Sequence, residues 1–359
     1  MENKFGEGLG AENEPGEIVP NVEHRRRLEV ESDLENIDGE KSKIGVELID
    51  GKPKAVAFFD IDLTLAELRF AHEAAFYALC EKRGIQLENP EEALEIYFKG
   101  FKLGNSFREW DRVNGIFVDG KKEWIDPEVY VRDRLEPQRQ EIDEAGNEAH
   151  ERANGYLQEY GKTAAEVLRN AYEAHEKDPN SPDKFEEVKI RPIFHLAEIY
   201  KRLGIPMVGM TANQRDFARA IVKYLGLSEL FIECATDEDM TGGGKDVAMS
   251  YLIGKLEAKG IPVPKDRLVV VGDSIRGDVG SAKKFSESGV PRPKGILVMK
   301  DKQAIEVVKE QISKDPKLQE ILNLVNTQAL SIKDVPISSV TGKPILASGQ
   351  RGKFLEELK

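Results

Sequence analysis

Two carboxylates, Asp60 and Asp62, stand two positions apart where the apolar run Ala55-Val56-Ala57-Phe58-Phe59 stops, and Thr64 follows at the same spacing. In an extended chain residues i and i+2 point to the same side, so this spacing predicts that Asp60 and Asp62 face one space. Close carboxylates repel; one tends to keep a proton while the other stays charged, which pairs a general acid with a nucleophile. Three later apolar runs lead into polar residues in the same way. Thr211 follows IPMVGM, Lys245 lies in the loop beyond FIECAT, and Asp273 follows RLVVVG, with Asp278 five positions on. Asp273 added to the first pair makes a hard oxygen set suited to Mg²⁺, which takes one or two carboxylates along with substrate phosphate and water. Thr211 offers a hydroxyl at the start of a helix, where backbone N–H groups favour an anion. Lys245 brings the positive charge that a transferring phosphoryl group needs. A single Asp at a strand end is most often a helix N-cap. Only the joint pattern argues for chemistry.

The elements that must position these residues alternate. RPIFHLAEIYKRLG, NQRDFARAIVKYLG and KDVAMSYLIGKLEAKG carry helical periodicity, the first two ending at Gly204 and Gly226. RGDVGSAKKFSESG reads as a further helix. AVAFF, IPMVGM, FIECAT, RLVVVG and GILVM are short apolar strands between them. Such alternation, with strands apolar throughout, predicts a doubly wound parallel α/β sheet of the Rossmann-like kind, covered on both faces. Ligands of such sheets bind outside the carboxyl ends of the strands, where all the polar landmarks fall. Asp50-Gly51 between apolar runs is a hairpin signal ahead of the first core strand.

As a set, these residues resemble the four motifs of the haloacid dehalogenase superfamily. Asp60-Ile61-Asp62-Leu63-Thr64 corresponds to the first motif, Thr211 to the second, Lys245 to the third, and Gly272-Asp273 through Asp278 to the fourth. The resemblance covers residues 54 to about 65 and 191 to 299. It implies a phosphatase-branch enzyme in which Asp60 attacks phosphorus to form an aspartyl-phosphate and Asp62 protonates the leaving oxygen and then activates water. It also implies that Thr211 and Ala212 hold the phosphate with Lys245. Asp60, Asp273 and the backbone carbonyl of Asp62 would hold Mg²⁺, supported by Asp278 and Thr64. The long insertion after the first motif, residues 66–190, would be a mainly helical cap that selects the substrate, with hinges near Ala66–Glu67 and Lys189–Pro192. The stretch GGGKDVAMSYL resembles phosphoserine phosphatases, but Arg69 stands where those enzymes carry Glu, and Thr211-Ala212-Asn213 replaces their Ser-Gly. Arg69 and Asn213 are therefore candidate substrate contacts, each weighed against a solvated helix position and a loop scaffold. The expected activity is hydrolysis of a small phosphorylated metabolite. A phosphomutase of the same fold and a non-enzymatic scaffold remain alternatives.

Composition narrows the partners. With 52 Lys and Arg against 65 Asp and Glu, the 359-residue chain has a net charge of −13, which argues against a nucleic-acid binder. No apolar run reaches the length of a membrane span, the first residues are too polar for a signal peptide, and Cys80 and Cys234 make no disulfide framework. A cytoplasmic location is expected. The five His show no metal-binding spacing, and His195 reads as a partly buried structural residue. Trp110 and Trp124 read as core residues of the insertion, and GIFVDGKKEWI as a small hairpin. Residues 1–43 are expected to be an unstructured tail, with HRRRLEVESDLE a solvated helical face. Residues 44–65 and 191–300 are expected to form the α/β core, and 301–359 a C-terminal helical extension and tail.

Overall fold

The computed structural model describes residues 24–82, 90, 91, 94, 146–178, 185–240, 244–298 and 325–329. Its centre is a parallel sheet. Strand β4 (Val56–Asp60) lies between β5 (Met207–Met210) and β7 (Leu268–Gly272). Beyond β5 comes β6 (Cys234–Ala235), and beyond β7 come β8 (Lys294–Val298) and β9 (Val325–Ala329), all parallel. The chain builds outward from β4 on one side and returns to its other side. The switch point of the sheet therefore lies at β4, as the alternating pattern requires.

Every residue of β4 is buried, and its side chains alternate between two cores. Ala57 and Phe59 join a cluster with helices α1 (Arg69–Lys82), α2 (Gly146–Lys177), α4 (Arg191–Arg202) and α5 (Arg215–Tyr224). Val56 and Phe58 join a second cluster with α6 (Lys245–Ala258) and α7 (Ser281–Ser286). This is why the strand reads as a continuous apolar run: both faces are covered. Each of its two buried phenylalanines contributes about 2–3 kcal/mol of hydrophobic stabilisation.

Helices α1 and α2 of the insertion share the first cluster with the sheet itself. Ala66 bridges antiparallel to Lys189. Glu67 N donates to Val188 O at 2.8 Å, in the short helix α3 (Phe185–Val188), and Ile190 N donates to Leu65 O at 2.7 Å. The two crossings between core and insertion thus run side by side as a short ladder. Trp110, Trp124 and the GIFVDGKKEWI hairpin lie outside the described residues.

Two expectations need correction. The segment taken as part of an unstructured tail forms β1 (Arg25–Glu35), which pairs antiparallel with β2 (Lys41–Ile49). Its Val30 and Ser32 point inward while Arg27, Glu29 and Glu31 point out, a period of two rather than the helical face assigned to HRRRLEVESDLE. The charges on alternate positions concealed the apolar set between them. Asp50 and Gly51 both adopt left-handed backbone (φ 49° and 81°) and turn β2 into β3 (Lys52–Pro53), as the Asp-Gly signal predicted. This small sheet covers the second core through Val30, Ile44, Val46 and Leu48. The second correction is β9. It lies in the stretch read as a helical extension and adds a strand to the sheet edge instead.

Candidate active site

Asp60 ends β4 and is almost fully buried. The chain then turns at once. Ile61 O accepts hydrogen bonds from the backbone N of Leu65 at 2.8 Å and of Ala66 at 3.0 Å, and Leu63 sits in left-handed backbone at φ 57°. A bulky residue held there is strained, and such strain concentrates at functional sites. The sheet strand thus ends at Asp60, Asp62 forms an isolated bridge to Ala66, and the chain turns at Leu63. The two carboxylates still approach closely enough for the charge of Asp62 to act on Asp60, but each has its own partners.

Asp60 Oδ1 accepts from Lys245 Nζ at 2.5 Å, and its Oδ2 accepts from Thr64 Oγ1 at 3.1 Å. Lys245, the first residue of α6, also donates to Asp278 Oδ1 at 2.6 Å. Asp278 is fully buried in a π-helical turn (Ile275–Gly280), and its Oδ2 accepts from Ser274 N at 2.9 Å. Gly272 is required here because a Cβ on it would overlap the Asp278 carboxyl group. On the other side, Asp62 Oδ2 accepts from Thr211 Oγ1 at 3.1 Å and from Asn213 Nδ2 at 2.5 Å. Asn213 N donates to Thr211 Oγ1 at 3.1 Å, so Asn213 orients both the loop and Asp62. Arg69 opens α1 and is exposed, and Ala212 is exposed in the loop after β5.

Burial, then the charge of Asp278, pushes Asp60 up to about 7 against the pull of Lys245. Burial and the charges of Asp60 and Asp278 likewise hold Asp273 well above the usual carboxylate range. Burial would lower Lys245, but Asp278 and Asp60 hold it above the ordinary lysine range, so it stays charged. Ligand atoms of Asp60, Asp273 and Asp278 lie within 4.8 Å of one another. Once ionised, these three carboxylates would leave excess negative charge against one ammonium, and an all-oxygen set of this kind fits a hard divalent cation.

One neighbour of this site escaped the sequence reading. His72 Nε2 lies 3.6 Å from Asp62 Oδ1, an atom with no hydrogen bond among the described residues. The imidazole ring is held from behind. Its Nδ1 is 2.7 Å from Tyr160 Oη, and it packs edge-on to Phe217 at 5.2 Å. A search for metal-binding spacing could not find it, because the contact depends on how α1 and α2 pack. His195 is partly buried, as expected, with Nδ1 3.7 Å from Glu198.

The fold and the cluster together define a class: an open α/β enzyme with a carboxylate–lysine site at the carboxyl edge of its sheet. Residues 54–285, more than half of the chain, match the family model of haloacid dehalogenase-like hydrolases, and the chain belongs to that family. Similar solved structures include CbbY from Rhodobacter sphaeroides in complex with phosphate, at 18% identity and TM-score 0.41 over 68% of this chain and 85% of that one. Another is β-phosphoglucomutase from Clostridium difficile, at 14% identity and TM-score 0.41 over 84% and 97%. No curated protein matches significantly. Among the described residues, no helix is long and apolar enough to cross a membrane.

Proposed function

We propose that this hydrolase is a Mg²⁺-dependent phosphatase that cleaves a small phosphorylated metabolite through an aspartyl-phosphate. The observation that carries the proposal is the division of labour between the two carboxylates. Asp60 is bonded to a buried ammonium, and Asp62 is held by a hydroxyl and an amide.

In this reading an Asp60 carboxylate oxygen attacks phosphorus and the P–O ester bond breaks. Asp62, oriented through Oδ2 by Thr211 and Asn213, gives its proton to the departing oxygen. Asp62 then takes a proton from water, the water oxygen attacks the aspartyl-phosphate, and inorganic phosphate leaves with Asp60 restored. Lys245, tied to Asp60 and Asp278, would balance charge on the phosphoryl oxygens. Asp60, Asp273 and the Asp62 carbonyl would hold Mg²⁺, with Asp278 beside them. The bound ion supplies charge neutralisation that lets Asp60 ionise and meet an anionic substrate. Thr211 and Ala212 would receive the phosphate at the start of the loop into α5. The paired crossings at Ala66 and Lys189 are where closure of the insertion would bend.

The test is phosphate release from an aryl phosphate, with Mg²⁺ and with chelator, for wild type and Asp60→Asn. Release that needs Mg²⁺ and disappears in the variant is expected. Full turnover by Asp60→Asn would remove Asp60 as nucleophile and with it this mechanism.

A further inference from the structure

A second charged site lies at the other end of the sheet. A cavity of about 350 Å³ is lined by Arg25, Arg26, Arg27, Lys201 and Arg202, with Glu47 and Gly204 completing the wall. Lys201 and Arg202 end α4, and Gly204 follows them ahead of β5. The cavity therefore sits at the amino end of β5, whereas Thr211 lies beyond its carboxyl end. We propose that this cavity binds a small molecule carrying two or three adjacent phosphate groups.

The placement is built by the fold. Gly204 adopts φ +63°, and Glu47 N donates to its carbonyl at 2.9 Å, which fixes β2 against the end of α4. A Cβ at Gly204 would come within 2.6 Å of Glu47 N, so the approach needs glycine. β1, paired to β2, then carries its three successive arginines to the cavity. Successive strand residues point to opposite faces, so Arg25 and Arg27 share the Glu47 side of the strand, and Arg26 borders the same cavity between them. Arg27 lies across Gly45, where any Cβ would overlap its guanidinium.

The charge does not cancel locally. Arg25 meets Glu47 at 3.6 Å, Lys201 meets Glu229 at 3.4 Å and Arg202 meets Glu198 at 3.8 Å. Five cationic residues against these three carboxylates leave a cationic excess around the cavity, in a chain whose net charge is −13. Cations in the last turn of a helix are favoured by its dipole, which accounts for Lys201 and Arg202. It does not account for three arginines brought against them from another element. Guanidinium groups bind phosphate in a bidentate fork, and several converging forks select adjacent phosphates over a single one. The volume suits a small ligand and not a nucleic-acid duplex, which needs an extended face. This inference does not depend on the phosphatase reading.

Titration calorimetry with inorganic tripolyphosphate, in chelator, tests it on the full chain. Wild type and Asp60→Asn are expected to bind at one site with equal affinity, and orthophosphate about tenfold or more weakly. Arg26→Ser with Arg202→Ser is expected to weaken tripolyphosphate by about tenfold or more while phosphate release and circular dichroism stay as in wild type. Arg27→Gln is a second variant should the pair fail to fold, with a smaller loss in the same direction. Unchanged affinity in the folded arginine variants, loss of binding in Asp60→Asn, or no saturation with wild type would each overturn the proposal.

Discussion

The molecule holds two clusters of acids and lysines that look alike in their local chemistry. At the active site, Asp60 and Asp278 share Lys245. Between the small N-terminal sheet and the core, Asp33 and Glu233 lie close enough for each to act on the other's titration, and Lys259 Nζ donates to Asp33 at 2.7 Å. Burial is the largest cause in each cluster, with a neighbouring carboxylate adding to it, and both Asp60 and Glu233 are pushed up to about 7. A perturbed carboxylate alone would mark both as sites. The surroundings differ. Asp60 lies at the carboxyl end of a central strand, at the switch point, with a third carboxylate in reach. Glu233 lies beside the edge strand β6 with its Oε1 accepting from Cys234 N at 3.0 Å, and nearby Asp33 N donates to Ile232 O at 2.8 Å. The second cluster fastens one sheet to another. Convergence of unlike groups at a strand edge distinguishes a site for chemistry from a structural one.

The sharpest way to break this comparison is to neutralise one acid in each cluster. Asp60→Asn is expected to lose phosphate release by about a thousandfold or more, since it removes the proposed nucleophile. Glu233→Gln should leave turnover at the wild-type rate. Comparable losses in both would erase the distinction. Gly272→Ala comes next. Its new Cβ displaces the Asp278 carboxyl and, through Lys245, Asp60. A loss of about a hundredfold in kcat is expected, a cost typical of misplacing reacting groups by an ångström. Steady-state kinetics on the folded variant would check it.

Glu233→Gln also has a pH signature. In the folded chain Glu233 keeps its proton up to about 7, whereas its ordinary value is 4.5. Between those values the folded chain binds more protons than the unfolded one, so stability falls as pH rises through the window. Gln cannot ionise, so the variant should lose that slope and be more stable than wild type at pH 8. Urea unfolding at pH 5 and pH 8 measures both. An unchanged slope would show that the acid is not held protonated.

His72→Phe keeps the ring packing but removes the imidazole beside Asp62 and the contact with Tyr160. The expected loss is about tenfold in kcat with KM little changed, because in the proposed mechanism Asp62 acts on the bond being broken. A change in KM alone would instead place His72 against substrate. The smallest effect should come from Lys259→Met, which removes the partner that brings Asp33 below its ordinary value despite burial. A stability loss of about 0.5–1 kcal/mol with unaltered kinetics is expected from a partly exposed pair, readable as a shift in urea midpoint.

Much of the site was legible in the chain because each of its principal residues follows an apolar run or lies shortly beyond one. Asp60, Thr211 and Asp273 mark the carboxyl ends of adjacent parallel strands, and that rule converts distant sequence positions into neighbours. The Asp-Gly turn was legible for a similar reason, since the backbone it needs restricts the residues that can form it. His72 and Tyr160 were not legible. They are 88 positions apart on two helices whose apolar faces could meet in more than one rotation. Nor was β1, whose alternate charged residues imitate a solvated helix until β2 supplies a partner for its backbone.

Sequence alone therefore determined the parallel sheet, its polar edge and the chemical types gathered there, because local periodicity and strand ends are properties of consecutive residues. Tertiary structure decided the rest. It tied Lys245 to two carboxylates, placed an imidazole behind Asp62, and brought Arg25–Arg27 against Lys201 and Arg202. Each of these depends on the packing of elements far apart in the chain, where burial and charge, not local propensity, select the neighbours.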